Sequence, residues 1–144
     1  LLFDRMSQYV SITYELGLLV GIADGEIDDH EIDFLCQIMY YSKDQNELIT
    51  ECNKLNHLIK NQCVDNETDT LRAEAFNYIK EEIPSIIDKA LIANIHVPSI
   101  IRNLLTLASV DGMIDSHELK VIYLFAKEFG YSKGDVIQQM YNLN

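Results

Sequence analysis

The chain has no tryptophan, only two prolines, three cysteines, and 11 basic residues set against 23 acidic ones. Each scarcity excludes something. A net charge of −12, with an isoelectric point near 4.5, repels phosphate backbones and anionic lipid, so neither nucleic acid nor a membrane surface is an expected partner. A protein partner with a basic surface, or a cation, is what the electrostatics favour. Cys36, Cys52 and Cys63 are odd in number and contain no C-x-x-C pair, which argues against a disulfide framework and for a reduced, cytoplasmic compartment. No run of ~18 apolar residues and no basic-then-apolar start is present, so neither a membrane span nor a secretory leader is expected. No segment alternates as a strand would. G-x-S-x-G, a phosphate-cradling glycine loop and H-E-x-x-H are missing too, and the chain reads as non-enzymatic.

What the chain does have is apolar content and a repeat. At 144 residues and 48% hydrophobic, it is long enough for one domain with a substantial core. The stretch Asp24-Gly25-Glu26-Ile27-Asp28-Asp29-His30-Glu31 recurs as Asp111-Gly112-Met113-Ile114-Asp115-Ser116-His117-Glu118. Asp, Gly, Ile, Asp, His and Glu agree between the two, which marks an internal duplication.

Each copy reads first as a device that ends one helix and begins the next. Asp-Gly tolerates the left-handed backbone of a helix C-terminus. Asp28 then serves as N-cap, with Glu31 at the capping-box spacing and Ile27 against Ile32 as a hydrophobic staple. Ile114, Asp115, Glu118 and Leu119 predict the same set in the second copy. The alternative is metal binding. Asp24-Gly25 to Glu31 and Asp111-Gly112 to Glu118 match the second half of the calcium-loop pattern D-x-[DN]-x-[DN]-G-x5-E. Its first half is lacking, because Val20 and Ile22, or Leu107 and Ser109, stand where oxygen ligands belong. A cation (calcium, magnesium or zinc) held by Asp24, Asp28, Glu31, Asp111, Asp115 and Glu118 would therefore need ligands shared between segments or many waters.

In chain order, the pattern predicts a helix from Phe3 to Ala23 with Tyr9, Ile12, Leu16, Leu19 and Ala23 on one stripe. Its last two turns are apolar all round, as in a helix surrounded by others, and Gly17 and Gly21 offer close approach. Helices over Asp29–Tyr41 and, capped by Ser42, through Asn61 follow. A polar loop over 62–68 leads to a helix from Asp69 to Glu82, broken at Ile83-Pro84, and another to Asn94, broken at Val97-Pro98. From Pro98, the helix through Ile100, Ile101, Leu104, Leu105 and Ala108 delivers Asp111. The second copy's helix ends in Tyr131-Ser132-Lys133, matching Tyr41-Ser42-Lys43 with a three-residue slip of register. The expectation is an all-α single-domain bundle of seven to eight helices, with pseudo-symmetric halves over 3–61 and 98–143 joined by 62–97.

Other residues read more plainly. His30 and His117 each fall two residues after a cap, as exposed polar residues or as transition-metal ligands. Cys52 and His57 are five apart and so off a common helix face, against a cysteine nucleophile. Glu47, Glu51, Lys54, Glu67, Glu74, Glu81 and Glu82 read as a solvated face.

The pair "ADGEIDDHE" and "VDGMIDSHE", each closing an apolar helix, the second followed by "FAKEFGYS", resembles the bacterial tellurite-resistance TerB-like domain. That family is similar to the N-terminal domain of DjlA-type J-domain cochaperones. The resemblance spans Tyr9 to Tyr141 and outside the two motifs rests on helix order; Val110 replaces the family's usual Ala. It implies an all-helical domain of two pseudo-symmetric halves, a cluster of acidic side chains at Asp24, Asp28, Glu31, Asp111, Asp115 and Glu118, and a place in bacterial stress physiology.

Overall fold

A computed structural model describes the backbone of residues 2–143 and the side chains from Met6 to Leu143. Among the described residues there are seven α-helices and no strand: α1 Leu2–Ile22, α2 Asp29–Ile38, α3 Gln45–Gln62, α4 Thr68–Ala93, α5 Val97–Ala108, α6 Ser116–Lys127 and α7 Lys133–Tyr141. They form a single helical bundle. None is long and apolar enough to cross a membrane.

The helix that is apolar all round, α1, lies at the centre and touches α2 through α6. Ile12, Leu16, Leu19, Val20 and Ile22 are buried along it. Gly17 makes this crowding feasible, since a Cβ there would come within 2.6 Å of Leu35 on α2 and 3.4 Å of Leu107 on α5. The amphipathic helices close around it. On α3 the buried stripe is Leu48, Cys52, Leu55, Asn56 and Ile59, and on α5 it includes Ile100, Ile101, Leu104, Leu105 and Ala108. Each follows the 3–4-residue spacing that places side chains on one face.

The predicted break at Pro84 does not occur. α4 runs through it, from Thr68 to Ala93, and the seven helices of the described residues fall at the lower end of the expected seven to eight. Proline removes one backbone hydrogen bond and crowds the preceding turn, a cost of about 3 kcal/mol relative to alanine. That local cost is outweighed because Ala75, Ile79, Ile83, Ile86 and Ala90 make one continuous buried stripe that spans the proline. Pro84 itself is exposed. At the second predicted break, Asn94 ends α4 in the left-handed region (φ 51°) and Pro98 sits in the first turn of α5.

The α2–α3 turn also differs from expectation. α2 stops at Ile38, and the cap of α3 is Asp44, whose side chain accepts from the N–H groups of Asn46 and Glu47, not Ser42. In the second half Ser132 does cap α7, in a reciprocal box with Asp135. The two Tyr-Ser-Lys tripeptides are therefore not equivalent in the fold. Asp28 and Asp115 stand 87 positions apart and the later caps Asp44 and Ser132 stand 88 apart, a one-residue offset. The order helix, Asp-Gly turn, helix, turn, helix is present on either side of α4.

Candidate functional site

The first turn is built as its sequence dictates. Gly25 adopts φ 108°, and Asp28 caps α2 by accepting from the N–H of Glu31 at 2.8 Å, while Glu31 Oε1 accepts from the N–H of Asp28 at 3.0 Å. Ile27 and Ile32 are both buried, as the staple requires. Two residues from outside the motif fix its position. Asn56 on α3, itself buried, accepts from the N–H of Ile27 (2.8 Å) and donates to its carbonyl (3.0 Å). α4 presses on the glycine, where a Cβ would meet that of Leu71 at 3.0 Å.

The second turn repeats the backbone but not the capping. Gly112 has φ 103° and Asp115 caps α6, yet its carboxylate accepts from the N–H of His117 at 2.7 Å rather than from Glu118. The capping box expected of Asp115 and Glu118 is absent. Glu118 is instead turned inward, where burial and the neighbouring carboxyl of Glu31 act on it. Each of these two glutamates is only 3% exposed. The two glutamates of the duplicated motif are thus both buried in the interior.

Two facing carboxyls present acceptors to each other. Among the described residues, no N–H or O–H of the protein reaches the buried Oε2 of Glu118. A proton carried by one of the two carboxyls would supply a donor. Burial is the main force pushing both groups above the usual carboxylate range, Glu31 to about 7 and Glu118 to about 11. For Glu118 the contact with Glu31 and the negative charge of Asp24 and Asp115 add to it; for Glu31 the hydrogen bonds from Glu118 and Asp28 work against it.

Asp24 and Asp115 complete the surroundings. Asp24 is half-buried, and burial, together with the charges of Asp115 and Asp28, raises its carboxyl to about 6 against the lowering effect of the Glu26 N–H and Arg72. Asp115 moves the other way. Burial alone would raise it, but His117, through its N–H and ring, and the Arg72 guanidinium bring it below the usual range. Arg72 joins the two copies directly: Nε donates to the carbonyl of Asp24 at 3.2 Å and Nη2 lies 3.4 Å from Asp115 Oδ2.

Of the six carboxylates singled out in the sequence, Asp24, Asp28, Glu31, Asp115 and Glu118 surround one another, whereas Asp111 is exposed to solvent. His30 is exposed, and His117 turns its Nδ1 to Asp115 at 3.1 Å. Among the described residues, no three His, Cys, Asp or Glu side chains are arranged to hold a metal ion. Arg72 and Asn56 went unnoticed in the sequence. An arginine in the second turn of one helix and an asparagine within an amphipathic helix carry no local signature, and only the packing of α3 and α4 against the turns gives them their roles. Val20, Ile22 and Leu107 are buried, so the missing half of the calcium loop is core. Comparison of the chain with protein-family models, with characterised proteins and with solved structures finds no match.

Proposed function

We propose that the chain is a non-enzymatic helical interaction module that docks a protein partner with a basic surface, in the bacterial stress physiology that the TerB-like resemblance implies. The observation that carries this reading is an apolar face between the start of α1 and the end of α4. There Ile92 is 87% and Met6 60% exposed, beside two shallow grooves of 360 and 380 Å3 that share Ala93. An apolar anchor on a chain of net charge −12 suits a partner offering apolar and basic side chains together. The test compares the immobilised chain with its Met6→Asp, Ile92→Asp double variant in bacterial lysate. Basic proteins should be retained by the wild type, released by roughly 0.5 M salt as screening shortens, and lost from the variant. Equal retention by both forms refutes the docking face.

A second reading, a divalent-cation site, is favoured by the buried, unpartnered Oε2 of Glu118 among four other carboxylates. A cation would take the place of the shared proton, with Glu31 and Glu118 as its inner ligands. Calcium, magnesium or zinc added to metal-stripped protein should then raise the melting temperature at sub-millimolar concentration, by the mass-action stabilisation of a ligand that binds only the folded state. Glu31→Gln with Glu118→Gln should abolish that rise. Calorimetric titration showing no heat and no thermal shift with any of the three ions removes this reading.

A further inference from the structure

A second polar site shares no residue with the duplicated turns. A groove of 560 Å3 opens between α1, α4 and the α2–α3 turn. On one side Tyr14, only 6% exposed, donates its hydroxyl to Glu51 Oε1 at 2.7 Å, and Lys43 Nζ lies 2.8 Å from Glu51 Oε2. Burial, and then the neighbouring Glu51, push the Tyr14 hydroxyl up, which keeps it a donor. Burial raises Glu51, but Lys43 and Tyr14 override it and hold the carboxylate below its usual range. On the other side Lys89 of α4 bridges Glu15 of α1, with Nζ 3.0 and 3.3 Å from its two oxygens. The hydroxyl-bearing Ser11, Ser42 and Ser85 also line the groove, as does the half-buried Tyr78.

The chemistry of these groups restricts what they suit. Each ammonium is already neutralised by its own carboxylate, so no bare charge is available to capture an ion. Glu82, also in the lining, leaves a small negative excess that disfavours anions. What remains is a set of donors and acceptors on opposite walls of the groove. A hydroxyl group both donates and accepts, so a ligand with several hydroxyls can satisfy an ammonium and a carboxylate together. The volume lies within the range of small-molecule sites, about 300–1,000 Å3. We propose that this groove binds a neutral polyhydroxylated small molecule, a mono- or disaccharide or a cyclic polyol, with hydroxyls shared between the Lys43–Glu51 and Glu15–Lys89 pairs.

The test is amide-resonance titration of the isotope-labelled chain with glucose, N-acetylglucosamine, maltose and myo-inositol separately, each to roughly 50 mM because a small ligand held by hydrogen bonds binds weakly. Inorganic phosphate and spermidine serve as charged counterparts. At least one neutral polyol should shift Ser11, Ser42, Lys43 and Ser85 saturably while phosphate and spermidine leave them in place. Glu51→Gln keeps an acceptor for Tyr14, and Lys89→Met alters the opposite, more exposed pair. Each should weaken binding about fivefold or more, the loss of a charge-assisted hydrogen bond. No saturable shift with any of the four polyols, tighter binding of phosphate or spermidine, or undiminished affinity in both folded variants overturns the proposal.

Discussion

Glu118→Gln should stabilise the protein at neutral pH. A glutamate with an ordinary value of 4.5 must take up a proton to be buried against a second carboxyl. At 1.36 kcal/mol per pH unit, holding that proton at pH 7 costs about 3 kcal/mol. Glutamine has nearly the same shape and is neutral without a proton. Its amide can donate to Glu31 from the place of the orphaned Oε2, leaving the partner free to ionise. The gain should shrink to about 0.4 kcal/mol near pH 4.5, where the folded carboxyls are protonated and the unfolded ones half protonated.

The sign follows from proton binding. Carboxyls whose folded values lie above their unfolded ones bind more protons in the native state, so they stabilise fully below about 4 and lose that contribution as pH rises. Asp24 loses it between 3.8 and about 6, and the pair Glu31 and Glu118, both raised by burial, loses it from 4.5 upward through and beyond neutral pH. Wild-type stability should therefore fall steeply from pH 4.5 to 7 and more gently above. Urea denaturation at pH 4.5, 6, 7 and 8 measures both chains. The variant's advantage should grow by about 1.4 kcal/mol per pH unit, and at pH 7 its melting temperature should be higher by on the order of 5–10 °C. A variant equal to or weaker than wild type at pH 7, or a gap independent of pH, would refute the shared proton.

The two Asp-Gly turns differ in what stands behind the glycine. Gly25→Ala and Gly112→Ala both force a side chain to positive φ, at about 1–2 kcal/mol each. Only the first also pushes a Cβ to 3.0 Å from that of Leu71, so its loss of denaturation midpoint should be visibly larger. Pro84→Ala restores a hydrogen bond inside the continuous α4 at an exposed position and should raise stability by up to about 3 kcal/mol; a loss would mean that the proline is needed for packing. Asn56→Leu leaves the buried N–H and C=O of Ile27 unpartnered and should cost about 2–3 kcal/mol in chemical denaturation, with the amide of Ile27 losing its protection from hydrogen exchange.

Most of the fold was legible because its signals are local. Apolar periodicity, the two caps Asp28 and Asp115 and the Asp-Gly turns each act within a few residues, and they place six of the seven helices to within a turn. The errors arose where distant packing overrules a local rule: Pro84 reads as a break until the stripe from Ala75 to Ala90 is seen to be buried on both sides of it. The site shows the same division more sharply. Within a copy, the three-residue spacing of Asp and Glu predicts a capping box, and the first copy has one. Nothing in that spacing tells that the second glutamate makes no cap and is buried instead. That outcome depends on α1 and α5, which pack against both α2 and α6, and on Arg72, which ties the carbonyl of one turn to the carboxylate of the other. Duplication thus makes two chemically equal motifs, and the bundle between them makes them unequal. One glutamate keeps its helix cap, the other is buried beside it without one, and the raised proton affinity of the two carboxyls is a property of the pair that neither copy carries alone.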